Sequence, residues 1–225
     1  MSNWLCRWFG WRCPKPAPLV RPLVGVCCHW VRDEEIAKLM AMGVRHIRTS
    51  LYADGDGSQW IDAALSAGLE VLCVTYRSAE DRVLDAGCWP TVLWQIGNEP
   101  DPLTVSPVQA AALTKGGAIA CGIGHGTPQA WIDTFLIAIG NQRPAFHIYG
   151  QPLSGTMQET MAQFPPSAWI TEIGDKDANE LAKSLRMIDG KKFPRVYVYD
   201  LYSPDDGMTL TPAHQQVLTQ FIQGV

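Results

Sequence analysis

The sequence predicts a small α/β domain of the (β/α)8, or TIM, barrel class with short connecting loops. Three observations predict it. Eight short apolar runs recur between residues 23 and 200, most of them hydrophobic at both parities, as parallel strands covered on both faces must be. Each run is separated from the next by room for a crossover helix. The chain has 225 residues, 47% hydrophobic and 18% charged, which is enough for one large core but at the small end for this barrel. An open doubly wound sheet is the rival, and it commonly carries a glycine fingerprint at its switch point. The nearest candidate, Gly122 to Gly126, has Thr127 where the third glycine belongs.

The elements follow in order. Leu23 to Cys28 reads as the first strand, after which Asp33 can cap a helix with Ile36, Leu39 and Met40 on one face, ended by Gly43. Arg45 to Ser50 is the second strand. Past a turn-rich stretch, a helix places Trp60, Ile61, Ala64 and Leu65 inward and closes at Gly68. Leu69 to Thr75 is the third strand, Ala79 to Ala86 a short helix, and Thr91 to Ile96 the fourth strand. A helix near Pro107 to Gly116 leads to a weak fifth strand, Ala118 to Ile123, and Pro128 opens the next helix in its first turn. Ala145 to Tyr149, Ser167 to Glu172 and Arg195 to Asp200 are strands six to eight. Leu181, Leu185 and Ile188 mark the helix between the last two. Thr211-Pro212 starts a final helix whose inner face is Val217, Leu218, Phe221 and Ile222.

Residues 1–18 stand apart from the barrel of residues 19–225. Trp4, Leu5, Trp8, Phe9 and Trp11 are interleaved with Arg7 and Arg12, and Pro14, Pro16 and Pro18 follow. The apolar run is too short and too interrupted for a usual signal peptide or a spanning helix. Two readings stay open: an arm that contacts a membrane surface or a larger assembly through a stiff spacer, or a plug of one end of the barrel.

The net charge of −4 and the scattered lysines and arginines give no footprint for nucleic acid and favour a neutral or weakly charged substrate. Seven cysteines, an odd count at irregular spacings, read as small buried hydrophobes from a reducing compartment. Cys27-Cys28-His29 looks like a metal cluster, but no second pair follows at ligand spacing. The Ala53 to Trp60 stretch looks like a calcium loop, yet Gln59 stands where the glycine is required and Leu65 where the bidentate glutamate is, so it reads as a turn. His46 and His214 read as structural, the latter on an exposed-looking helix. No cofactor and no metal is expected.

In a parallel barrel the C-terminal strand ends converge on one rim. The residues just past each apolar run are His29 and Trp30, Arg48 and Tyr52, Tyr76, Asn98 and Glu99, His125, His147 and Tyr149, Glu172, and finally Tyr199, Asp200 and Tyr202. Polar and aromatic groups thus gather at one end, which stability alone does not require. Glu99 and Glu172 each end an otherwise apolar strand, on strands four and seven, across the mouth from one another. Two facing carboxylates are what glycosidic bond cleavage needs, one to donate a proton and one to attack or stabilise the sugar cation.

The set resembles the clan A glycoside hydrolases, retaining (β/α)8 barrels with an Asn-Glu pair at the end of strand four and a second Glu at the end of strand seven. Asn98-Glu99-Pro100 is similar to the first motif and Thr171-Glu172-Ile173-Gly174 to the second; Arg48 sits at the clan's frequent arginine on strand two, and His147 with Tyr149 at its His-x-Tyr on strand six. The resemblance runs from Leu23 onward in order and spacing. It implies that Glu99 is the general acid/base and Glu172 the nucleophile. It further implies that Asn98 bonds a sugar 2-hydroxyl, Tyr149 donates to Glu172, and Arg48 keeps Glu172 ionised. The chain departs from the clan at strand eight, where Tyr199-Asp200-Leu201-Tyr202 lacks the usual tryptophan platform. Trp30, Tyr52 or Tyr202 can stack on sugar faces instead, or pack the rim.

The leading expectation is therefore a retaining glycosidase acting internally on a β-linked oligo- or polysaccharide. A non-catalytic glycan-binding barrel is the alternative, and a metal-dependent hydrolase using His29, His125 and His147 a third. Without a recognisable secretion signal, the expected origin is cytoplasmic, with release by lysis or carriage on a phage-like particle also compatible with a glycan target outside the cell.

Overall fold

The structure, a computed structural model, describes residues 22–28, 33–149, 156–189, 193–199 and 210–224. Among these residues eight strands alternate with eight helices: β1 (Leu23–Cys27), α1 (Asp33–Ala41), β2 (His46–Leu51), α2 (Ser58–Ser66), β3 (Glu70–Thr75), α3 (Ala79–Cys88), β4 (Leu93–Ile96), α4 (Pro107–Leu113), β5 (Gly122–Ile123), α5 (Gln129–Ile139), β6 (Ala145–Tyr149), α6 (Thr156–Ala162), β7 (Trp169–Gly174), α7 (Ala178–Asp189), β8 (Arg195–Val198) and α8 (Pro212–Gln223). Every ladder is parallel, in the order β4-β3-β2-β1-β8-β7-β6-β5. The β4 and β5 edges are joined by two single bridges, Gln95 with Ile119 and Asn98 with Gly122. Two backbone hydrogen bonds accompany them, Ala118 N–H to Trp94 O at 2.7 Å and Glu99 N–H to Gly122 O at 2.9 Å. The ring closes there, and the fold is a (β/α)8 TIM barrel.

Strand alternation divides the side chains between two layers. Val24 and Val26, Ile47 and Leu51, Val71 and Cys73, Phe146 and Ile148, Ile170 and Ile173, and Val196 and Val198 turn outward and join the helices in the main core. Residues of the other parity turn into the barrel, where Cys27, Leu72, Ile119, Ala145, Trp169 and Tyr197 form a second apolar cluster. Below it Arg195 pairs with Glu70 and lies 4.5 Å from the Trp169 ring centre, with His46 3.5 Å from the same Glu70 carboxylate. Above it the inward positions become polar, and these form the rim.

Several details differ from expectation. Asp33 is the first residue of α1 rather than its cap. Met40 is exposed; it lies one residue, about 100°, beyond Leu39 on the helix, and Met42, three beyond Leu39, is the one buried. Trp60 and Leu65 are only half-buried, as are Val217, Phe221 and Ile222 around the fully buried Leu218. Pro128 stands one residue before α5 as its cap. Helix α6 was not expected, although Met157 and Met161, four apart and both buried, mark its inner face. Strand β7 runs two residues further than Glu172, to Gly174. Cys27, Cys28, Cys73 and Cys121 are buried, but Cys88, at the end of α3, is exposed; Cys6 and Cys13 lie outside the described residues. His214 is buried rather than exposed, because its ring bridges the Thr211 hydroxyl at 2.7 Å and the Asp175 carbonyl at 3.0 Å. Residues 1–18 lie outside the described residues, and among those described no helix is long and apolar enough to cross a membrane.

Leu72 is fully enclosed by the inner cluster, so Leu72→Ala leaves a void that the ring of strands cannot close. We expect a loss of about 2–5 kcal/mol in urea unfolding. A loss under about 1 kcal/mol would show that the barrel interior is loosely packed.

Candidate active site

Arg48 is the second inward residue of β2, and its register neighbour on β3 is the inward Leu72. One pleat higher, Ser50 and Val74 are paired, and one further, beyond Leu51 and Thr75, come Tyr52 and Tyr76. The two phenol rings are 6.2 Å apart and 13° from parallel, 41% and 49% exposed, and they form one wall of a pocket of about 740 Å³. Tyr149 and Tyr199, edge to face at 6.1 Å, line the same pocket from β6 and the end of β8.

Glu172 reaches this pocket because β7 is irregular. Trp169 faces inward beside Ala145, so unbroken alternation would turn Thr171 inward and Glu172 out. The register shifts instead: Phe146 pairs with Ile170, but His147 pairs with Glu172, and β8 shows the same extra residue between Ile170 and Ile173. Thr171 is the inserted residue, a β-bulge that re-aims the carboxylate to the interior.

There Glu172 Oε1 accepts from Arg48 Nη1 at 2.7 Å and from Asn98 Nδ2 at 3.4 Å, while Oε2 accepts from the Tyr149 hydroxyl. Burial by itself would push the Glu172 carboxyl up. The Arg48 charge, then His147 and the Tyr149 hydrogen bond, outweigh it and hold the group below the ordinary carboxylate range. The neighbours respond in kind. Burial and the Glu172 charge push the Tyr149 phenol up; burial disfavours the Arg48 charge, yet Glu172 and Cys27 together more than offset it and keep the guanidinium protonated.

Glu99 arrives differently. Gly97 and Glu99 both adopt left-handed backbone, φ 74° and 43°, and for Glu99 this is a strained conformation, held by its N–H bond to Gly122 O. The turn lifts the carboxylate to the pocket mouth, where its side chain is 47% exposed against 8% for Glu172. Its Oε1 lies 2.7 Å from His147 Nδ1. The other ring nitrogen of this fully buried histidine is 3.4 Å from Glu172 Oε1, without the alignment of a hydrogen bond. One oxygen of Glu99 and one of Glu172 lie within 4.8 Å of each other.

Two glycines make this arrangement fit. A Cβ at Gly122 would stand 2.4 Å from His147 Nε2 and 2.8 Å from Asn98 Oδ1, and one at Gly124 would stand 3.2 Å from Glu99 Oε1. The Gly-x-Gly of β5 was legible only as a failed nucleotide fingerprint; its use is close approach of backbone to the strand-four residues.

The structure brings Arg48, Tyr52, Asn98, Glu99, His147, Tyr149 and Glu172 together at this end of the barrel. His29, Trp30, Asp200 and Tyr202 lie outside the described residues. His125 is exposed, and the ligand-type atoms that converge belong to Glu99, His147 and Glu172 instead. A cation held by those three would have to displace the His147–Glu99 contact and compete with the Arg48 charge on Glu172, so the arrangement fits a carboxylate pair better than a metal centre. Gln95 was not anticipated: apolar neighbours on both sides hid an inward, fully buried amide that contacts both Arg48 and Asn98. Asp101 braces its own loop by accepting from Leu103 N–H and the Thr104 hydroxyl.

No family model and no curated protein matches the chain. Among solved structures it is similar to the catalytic domain of alkaline cellulase K, with a TM-score of 0.60 and 13% identity over 91% of this chain and 88% of that one. It is also similar to an uncharacterized B. cereus protein (TM-score 0.50, 13% identity, 90% and 65% of the two chains). A Pseudomonas aeruginosa protein provisionally described as an aldo-keto reductase matches comparably (TM-score 0.50, 14% identity, 89% of each chain). At these identities the likeness establishes the barrel and leaves chemistry to the site.

The lowered Glu172 pKa has a consequence for stability. A carboxyl held below its unfolded value contributes stability above that value and loses it as pH falls through the folded one. The difference in melting temperature between the wild type and Glu172→Gln should therefore be largest at neutral pH and shrink as pH falls below 4.5. A difference that stays constant or widens on acidification would contradict the ion pair.

Proposed function

We propose that the protein is a retaining glycoside hydrolase acting on a β-linked oligo- or polysaccharide, with Glu172 as nucleophile and Glu99 as general acid/base. The observation that carries this reading is the pair of carboxylates within 4.8 Å at one pocket but in opposite environments. Retaining enzymes hold their two carboxyl groups about 5–5.5 Å apart, whereas inverting ones leave about 6.5–9.5 Å for a water. Glu172 is buried against a cation and stays charged; Glu99 is open to the pocket and bonded to a histidine.

The sequence of events follows from that asymmetry. A Glu172 oxygen attacks the anomeric carbon as the glycosidic C–O bond breaks and Glu99 passes a proton to the leaving oxygen, giving a glycosyl ester on Glu172. Glu99, now a carboxylate, takes a proton from water, and the water oxygen attacks the anomeric carbon from the face the leaving oxygen vacated, opposite Glu172, breaking the ester and freeing the Glu172 carboxylate. Asn98 is suited to bond the sugar 2-hydroxyl. Tyr52, together with Tyr76, is suited to stack on a pyranose face, because the flat C–H face of a sugar matches an aromatic ring. Residues 1–18 are proposed to contact a membrane surface or a larger assembly.

A polysaccharide panel read by mass spectrometry should reveal a substrate. On it, Glu172→Gln should lose on the order of 10³-fold or more in kcat. Glu99→Ala should slow poor leaving groups most and good ones least, since a good leaving group needs no proton, and azide should restore part of its rate. Normal turnover by the Glu172 variant would end the assignment. Chelators should leave the wild-type rate unchanged; loss of activity that returns with a divalent metal would favour the metal-dependent reading instead. Tight oligosaccharide binding with no product would favour the glycan-binding barrel.

A further inference from the structure

We propose that Gln95 is a positioning residue, whose buried amide sets where the Arg48 guanidinium lies against Glu172 and which end of the Asn98 amide faces the pocket. The inference rests on the glycosidase reading for its catalytic consequence, but not for its geometry.

Gln95 is 0% exposed and stands directly beneath the turn that carries Asn98 and Glu99. Its Oε1 accepts from Arg48 Nε at 3.3 Å, and its Nε2 donates to Gly97 O at 3.1 Å and to Asn98 Oδ1 at 3.0 Å. The orientation of this amide is forced. Reversed, it would aim its NH2 at a guanidinium that only donates, and its oxygen at the Gly97 carbonyl, which only accepts. Asn98 is forced in turn. Its Oδ1 receives both Gln95 Nε2 and Arg48 Nη2, the latter at 2.8 Å, which leaves Nδ2 toward Glu172 and the pocket. Asn98 therefore presents a donor, as recognition of a sugar hydroxyl oxygen requires.

Arg48 is held at three edges. Nη1 is on Glu172, Nη2 on Asn98, and Nε on Gln95, with Cys27 Sγ 3.8 Å from Nη1. Because Gln95 is neutral, it fixes the guanidinium without drawing its charge away from Glu172. A carboxylate in its place would do so. The titratable groups that face Glu172 are Arg48 and Tyr76 from β2 and the end of β3, Cys27 from β1, His147 and Tyr149 from β6, and Glu99 from the end of β4. Asp175, Lys176 and Tyr199 line the same pocket, but among the described residues Arg48 is the cation ion-paired with Glu172, at 2.7 Å, so its placement dominates.

The experiment compares wild type, Gln95→Glu and Gln95→Leu by 13C NMR of the Glu172 side-chain carboxyl, assigned by its loss in Glu172→Gln, across a pH titration. Gln95→Glu is nearly isosteric and serves if Gln95→Leu fails to fold, with thermal melts checking both. We expect the Glu172 midpoint to rise by about one pH unit or more in Gln95→Glu, as for a carboxylate that must share its cation. On the substrate found by the panel, the acidic limb of kcat/KM should move up with it, and Gln95→Leu should lower kcat by about tenfold or more. A folded Gln95→Glu protein whose Glu172 midpoint is unmoved overturns the inference. Failure to find any glycosidase activity would leave the NMR result standing, so the two failures are distinguishable.

Discussion

A single buried ion pair, Arg48 with Glu172, organises the upper half of this barrel. A carboxylate taken into a protein interior loses the hydration that stabilises it, and breaking such a pair by removing one partner costs about 3–5 kcal/mol, because the remaining charge is uncompensated. The pair exists here because two strands on different sides of the ring each turn a charged residue inward at the same level, with Tyr149, Asn98 and Gln95 supplying the remaining hydrogen bonds. The amides and the phenol have little choice of rotamer while that charge pair stands. What looks like a loose gathering of polar residues at the strand ends is one connected network.

The same network explains why the two glutamates differ. Glu172 sits inside it and has both oxygens engaged. Glu99 sits above it, projected by left-handed backbone at Gly97 and at Glu99 itself, and in contact with His147 at one oxygen. Among the described residues, local backbone strain at Glu99 and a bulge at Thr171 depart from regular barrel geometry at the rim, and each delivers one carboxylate. The short seam between β4 and β5 belongs to the same design. Gly122 lets the backbone of β5 pass under His147 and Asn98, and accepts the Glu99 N–H that fixes the strained turn.

Much of this was legible in the sequence, for physical reasons that differ by residue. Apolar runs at both parities announced parallel strands, and Asn98-Glu99-Pro100 and Glu172 announced themselves as charges ending such runs. The inward direction of Glu172 was not legible, because simple alternation from Trp169 points the other way and the bulge depends on pairing with β6 and β8. Gln95 was hidden by the expectation that a strand interior is apolar. His214 looked exposed because the carbonyl that accepts from its ring, Asp175 O, is 39 residues away in the chain. Met40 and Met42 show the limit of periodicity at a helix end, where one residue of phase decides burial.

The proposed chemistry is covalent: a sugar bonded for part of each turnover to the carboxylate that Arg48 holds charged. The most direct measurement is peptide mass mapping of the protein after reaction with a 2-deoxy-2-fluoro glycoside of the preferred sugar bearing a good leaving group. The account predicts one glycosyl adduct, on the peptide containing Glu172. An adduct on another residue, or turnover that inverts the anomeric centre with no adduct at all, would contradict it.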